Sequence, residues 1–181
     1  MWRPWPEAAR RARWAARDLQ MAIALQRAIA QPLLRLVLAG VSRLADGVLW
    51  YAVMIGLPFT GTPQAWQCAL QMLCVGTINL VIYCQIKRRI GRHRPFVNCP
   101  DILACTRVLD QFSFPSGHTL HAVAFALLLS YHYPSLAALV WSFAALVGVS
   151  RVVLGLHYPS DVLASVAGGL ASAGVALWAW P

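Results

Sequence analysis

Four apolar stretches, residues 65–86, 119–131, 135–154 and 162–180, dominate the chain beyond residue 64. A bilayer crossing needs about 20 apolar residues, and a lone segment satisfies its backbone there only as a helix. Short polar clusters flank these runs. Lys87, Arg94 and Pro95 follow the first, and Pro115, Ser116, Gly117 and His118 precede the second. Ser150, Arg151, His157 and Asp161 straddle the junction of the third and fourth. Helices that cross in alternate directions bring a segment end, a start, an end and a start to one membrane face. The cations, two histidines and a carboxylate therefore converge there. Cations, histidines and a helix N-terminus are what a phosphate-handling site requires.

Composition agrees. Charged residues are 12% of the chain and hydrophobic residues 59%, whereas soluble domains carry about 25% charged residues. The 181 residues suffice for one domain. The net charge of +9 is not spread as a nucleic-acid surface would be. It sits in an N-terminal arm (Arg3, Arg10, Arg11, Arg13, Arg17) and in the stretch 87–107 (Lys87, Arg88, Arg89, Arg92, Arg94, Arg107). Anionic lipid headgroups and a phosphorylated substrate are the partners this favours. Cys68, Cys74 and Cys84 fall within an apolar run and read as packing residues; Cys99 and Cys105 share a polar loop and can pair if it faces an oxidising compartment. No zinc-type Cys/His spacing occurs, and the first 17 residues lack the pattern of a secretory leader.

Along the chain, residues 1–17 read as a basic juxtamembrane arm with Trp2, Trp5 and Trp14 at the interface, and 18–181 as a single membrane-embedded domain. Residues 18–44 read as helical, but Arg27, Arg35 and Arg43 would each cost about 2.5–3.5 kcal/mol at a bilayer centre. An interfacial helix is expected there rather than a clean span, with Pro32 inside it. Asp46-Gly47 opens a shorter apolar stretch through Leu57, and Pro58 to Pro63 form a turn. A span over 65–86, a cationic loop 87–114, and helices over 116–132, 135–154 and from Tyr158-Pro159-Ser160-Asp161 to Trp180 complete an all-α, polytopic membrane bundle of about five to six helices.

The chemistry-bearing residues each have a bland alternative. Pro115-Ser116-Gly117-His118 opens a helix whose first N–H groups are unpaired; Ser116 suits the cap, Gly117 lets an anion approach the backbone, and His118 stands beside it. An ordinary capped helix start accounts for the same residues. His157 and Asp161, spaced i and i+4, share a helical face, so the carboxylate can hold one imidazole nitrogen protonated and leave the other free to attack. Mutual capping is the plain alternative. Arg151 ends an apolar run, where a charge is costly unless paired or functional. Arg88 and Arg89 read as snorkelling residues at a helix end. His121 stands one turn from His118 at the site entrance or in the core. His93 reads as solvated, His132 as remote, and Asp46 as a cap or arginine partner. Trp50, Trp66, Trp141, Trp178 and Trp180 suit interface belts.

In order, Lys87-x6-Arg94-Pro95, Pro115-Ser116-Gly117-His118 and Ser150-Arg151-x5-His157-x3-Asp161 resemble the three signature motifs of the type 2 phosphatidic acid phosphatase superfamily, membrane lipid phosphatases that share a site with vanadium haloperoxidases. The motifs occupy 87–161 with no substitution at a defining position; residues 1–60 carry no comparable signature. The resemblance implies His157 as the nucleophile of a phosphohistidine mechanism, Asp161 as its orienting carboxylate, and His118 as general acid and then base. It implies Lys87, Arg94, Ser116, the Gly117 amide and Arg151 as phosphate ligands, with no metal and no cofactor. The implied reaction removes a terminal phosphate from a lipid phosphate or diphosphate, of the polyprenyl diphosphate, phosphatidic acid or phosphatidylglycerol phosphate class. The implied location is a bacterial inner membrane with the site on its outer, periplasmic face. The alternatives are a vanadate-dependent haloperoxidase-like enzyme, whose known relatives are larger and soluble, and a non-catalytic phospholipid-binding membrane protein.

Overall fold

The computed structural model describes residues 6–106, 108 and 110–181. Trp2, Arg3, Trp5 and Arg107 lie outside the described residues. The helices are α1 (Pro6–Ala28), α2 (Pro32–Leu44), α3 (Val48–Gly56), α4 (Ala65–Ile90), a single turn α5 (Pro95–Asn98), α6 (Gly117–His132), α7 (Ala137–Val153) and α8 (Pro159–Ala179). Among the described residues the only β pairing is an isolated bridge between His93 and Phe112.

α4, the segment Pro134–Val153 that contains α7, and α8 are each long and apolar enough to cross a membrane; α1 and α2 taken together make a fourth candidate, broken by a 118° bend. α4 stops at Gly91, whose left-handed φ of 61° lets its N–H close on the Lys87 carbonyl. α8 starts with Pro159 in its first turn, and the Tyr158 N–H donates to Asp161 Oδ2 at 2.9 Å.

α6 is the central helix, packed against α4, α7 and α8. Its face of Val123, Phe125, Leu128 and Leu129 joins Trp50, Met72, Val75 and Val147 in the main core. The α6–α8 contact is close because α8 carries glycine where it crosses: a Cβ on Gly169 would stand 2.7 Å from the Leu120 carbonyl oxygen. Contacts fix the alternation of direction. At one end Thr62 meets Tyr133, His132 meets Gln71, and Gln71 donates to the Trp180 carbonyl at 2.6 Å. The end of α4, the start of α6, the end of α7 and the start of α8 meet at the other.

The N-terminal region departs from the expected single helix over 18–44. The chain breaks before Pro32, and the Arg35 guanidinium caps the open end of α1 by donating to the carbonyls of Ile29 (2.9 Å) and Gln26 (3.1 Å). Arg35 is thus satisfied by carbonyls, which lowers its own share of that cost, while Arg27 and Arg43 remain exposed. α1 is tied to the loops at the end where the three motifs meet: Gln26 donates to Leu103 O and Val153 O, and Asp18 accepts from the Ser160 N–H at 3.0 Å. Trp50 also departs from expectation. It is buried in the core, edge-on to Phe125 (5.1 Å) and Phe143 (5.7 Å), because α3 packs inside the bundle; Trp66 and Trp178 are exposed.

Candidate active site

At the motif-bearing end a cavity of about 340 Å³ opens between α3, α4, α6 and α7. Its polar wall is Lys87, Arg94, Asp110, His118, Arg151 and His157; toward α3 and α4 the wall turns apolar, with Trp50, Tyr51, Met54, Leu73 and Leu80. The three motifs, distant in sequence, therefore line one pocket.

His157 is fully buried in the short link between α7 and α8. Its backbone N–H donates to Arg151 O at 3.0 Å, which fixes the link to the end of α7. Nε2 lies 3.4 Å from the Arg94 guanidinium; Nδ1 has no hydrogen-bond partner among the described residues and stands 3.7 Å from Asp161 Oδ2. Asp161, equally buried, spends its hydrogen bonds on Arg92 (Oδ1, 2.6 Å) and the Tyr158 N–H (Oδ2). Burial, then the charges of Arg151, Arg94 and Lys87, hold the His157 imidazole well below its ordinary pKa. The ring is therefore neutral and its lone pair available near neutral pH.

Lys87 and Arg94, both buried, converge on one carboxylate. Asp110 takes Lys87 Nζ on Oδ2 at 2.6 Å and Arg94 on Oδ1 at 2.8 Å. Burial alone would raise the Asp110 pKa; the bonds from Lys87 and Arg94 outweigh it and hold the carboxyl below its usual range. Arg151 donates through one terminal nitrogen to Ser42, and its buried Nε has no partner among the described residues. Gly117 lines the cavity, with the Tyr83 ring against the space where a side chain would stand. Ser116 occupies the N-cap position of α6, but its hydroxyl pairs with Thr119 Oγ1 (3.0 Å) instead of capping, and its N–H donates to Ser165 (2.8 Å), bolting α6 to α8. His118 contacts Asp46 through Nε2. His121 lines the cavity, its two ring nitrogens against the carbonyls of Gly117 and Gly76.

Asp18 and Asp110 had no place in the sequence reading, and Asp46 and Arg92 take partners that it did not indicate. Asp46 does not cap a helix or pair with an arginine; it meets His118. Asp110 joins Lys87 and Arg94. Arg92 bridges Asp161 and Asp18 and stacks 3.9 Å over the Tyr158 ring. The chain has only six acidic residues, and Asp18, Asp46, Asp110 and Asp161 all gather here. That scarcity was the available signal. Among the described residues no three His, Cys, Asp or Glu side chains group as a metal ion needs.

These features define a helical membrane protein with a cationic, two-histidine pocket at one end of its bundle. A model of the PAP2 superfamily matches residues 65–181, and the chain belongs to that superfamily. It is 32% identical over 155 residues to phosphatidylglycerophosphatase B of Bacillus subtilis, covering 78% of this chain and 73% of that one. It is 41% identical over 80 residues to decaprenylphosphoryl-5-phosphoribose phosphatase of Mycolicibacterium smegmatis, spanning 43% of this chain and 41% of that relative. The crystal structure of a transmembrane PAP2-type phosphatidylglycerolphosphate phosphatase from Bacillus subtilis superposes with a TM-score of 0.69 at 29% identity, over 88% of this chain and 84% of that one. With its apolar helices and these relatives, the chain is an integral membrane protein related to lipid phosphatases.

Proposed function

We propose that this protein is a metal-independent lipid phosphatase that removes a terminal phosphate from a lipid phosphate or diphosphate through a phosphohistidine. The observation that carries the reading is the cavity that gathers His157, His118, Lys87, Arg94 and Arg151 against one space. Its apolar flank toward α3 and α4 supports an amphiphile, with the headgroup among the cations and the chains toward lipid. Relatives named for phosphatidylglycerophosphate and decaprenylphosphoryl substrates support the glycerophospholipid and polyprenyl classes alike.

In the reaction the His157 Nε2 lone pair attacks phosphorus as the bond to the lipid oxygen breaks, and His118 gives that oxygen a proton. Lys87, Arg94 and Arg151 hold the three equatorial oxygens, where charge stabilisation is the main source of catalysis. Gly117 lines the same cavity at the start of α6, where a helix N-terminus favours an anion. Asp161 lies behind His157 and stabilises the positive charge the ring gains. Water then attacks phosphorus, giving a proton to His118 as the N–P bond breaks, and phosphate leaves. The location belongs to the same reading: a bacterial inner membrane, with the site on the outer face.

The test is phosphate release from phosphatidic acid, phosphatidylglycerol phosphate and undecaprenyl diphosphate by purified protein in detergent, with trapping of labelled protein by an alkaline detergent quench. Release by wild type, an acid-labile phosphoprotein, and loss of both in His157→Ala are the expected results. Equal release by His157→Ala and wild type sinks the reading. Bromide oxidation with vanadate would instead favour the haloperoxidase chemistry.

A further inference from the structure

We propose that Asp46 is the positioning residue for His118, fixing which ring nitrogen carries the proton, so that each histidine of the pocket has its own carboxylate. The proposal rests on the phosphatase reading above. Asp46 lies ahead of residue 65, where the superfamily match begins. It also lies outside the three motifs.

Three observations place it. Asp46 lines the same cavity as His118 and His157, and its Oδ1 contacts His118 Nε2. Its place in the fold is held from both sides. On one side, Ser42 near the end of α2 accepts from the Arg151 guanidinium inside the site. On the other, Gly47 turns the chain with a φ of 121° into α3, whose Trp50 is locked in the core. The carboxylate is thus carried on a turn anchored to the site cation and to the core. Among the described residues, Nδ1 of His118 has no such partner.

The consequence follows from proton accounting. A carboxylate only accepts, so Nε2 of His118 keeps its hydrogen and Nδ1 is the nitrogen that works. In the first half-reaction the Nδ1–H of the imidazolium passes to the leaving oxygen, and the ring becomes neutral with its remaining hydrogen on Nε2. That tautomer presents an Nδ1 lone pair, which the second half-reaction needs to take a proton from water. A neutral ring with its hydrogen on Nδ1 would present none. At His157 the ring nitrogens are exchanged: Nδ1 lies 3.7 Å from Asp161 Oδ2 without a hydrogen bond, and Nε2 faces the cavity cation Arg94.

Leaving-group dependence tests this on the full-length protein in detergent. Two substrates are compared through kcat/KM, which reports only steps up to phosphoenzyme formation: a lipid alkyl phosphate, whose alkoxide must be protonated, and p-nitrophenyl phosphate, whose phenolate leaves without help. Asp46→Asn is expected to lose on the order of 100-fold on the lipid phosphate and less than about tenfold on the aryl phosphate, as for impaired general-acid catalysis. Asp46→Glu, which restores the carboxylate, is expected to recover most of the lipid activity. Asp46→Ser, made in parallel, supplies a second carboxylate-free protein should the first fail to fold. Wild-type rates in the carboxylate-free proteins, an equal loss on both substrates, a gain in activity, or Glu behaving like Asn would each overturn the proposal. His157→Ala separates this from the parent reading: activity there ends the phosphatase assignment, whereas its silence with no selective effect at Asp46 ends only the role of Asp46.

Discussion

Arg151 shows how much a single side chain in this pocket is asked to do. It is 2% exposed at the end of an apolar helix, with a terminal nitrogen on Ser42 and an Nε that has no partner among the described residues. A buried charge left short of partners is costly, and in the proposed reaction a phosphate oxygen supplies what is missing. Replacing Arg151 with Gln is expected to lower kcat/KM by about 100-fold or more, the usual loss on deleting one transition-state donor. The same change acts on His157, the proposed nucleophile. Burial and the three cations favour neutral His157, so the acid limb of the wild-type pH–rate profile lies below the ordinary histidine pKa of about 6.5. Below the folded pKa the ring is protonated and cannot attack. Removing the Arg151 charge relieves the imidazolium, raises that pKa and moves the acid limb to higher pH, which a kcat/KM profile of both proteins measures. An unmoved limb would disconnect Arg151 from the nucleophile. The motif residues were legible because each lies beside its own helix end. Asp46 and Asp110 were not, because their partners are long-range: His118 is 72 positions from Asp46, and Lys87 is 23 from Asp110.

At the scale of elements, the α6–α8 crossing depends on Gly169. A Cβ there would meet the Leu120 carbonyl oxygen and approach Val123 Cβ at 3.1 Å, whereas a Cβ on Gly174 would meet nothing within 4 Å. Gly169→Val is expected to destabilise the fold by about 1–3 kcal/mol or more, as overpacking does, while Gly174→Ala leaves it within a few tenths. Thermal unfolding in detergent, followed by Trp fluorescence, compares them. Equal stability of the two variants would show that α6 and α8 are free to separate. Such contacts were invisible in the sequence, yet α4, α7 and α8 were plain from it, because a membrane-length apolar run has no other stable use. The expected helix over 116–132 also agrees with α6 at Gly117–His132. The region before residue 57 was harder to read. α1 and α2 are positioned by Gln26 and Arg35 reaching backbone carbonyls elsewhere, and such bonds leave no periodic trace.

At the scale of the molecule, the site and α1 share one end of the bundle, since Asp18 meets Arg92 and Ser160 there. The arginines of α1 weigh toward a cytoplasmic face by the positive-inside tendency, and the proposed outer location of the site runs against that. Cys99 and Cys105 lie in the loop on the same end, partly exposed and unpaired. Labelling of single-cysteine variants in intact cells by a membrane-impermeant maleimide is expected for an outward site; protection until the cells are lysed would turn the molecule over. The Asp110 carboxylate bears on turnover. In the proposed reaction each cycle ends with inorganic phosphate among buried cations, a tight complex by default. Asp110 stands ready to reclaim Lys87 and Arg94 as the product departs, so the emptied pocket regains a counter-ion from its own loop. Asp110→Asn is therefore expected to raise inhibition by orthophosphate severalfold. In this view a carboxylate amid phosphate ligands serves release: the protein keeps its product from becoming its inhibitor.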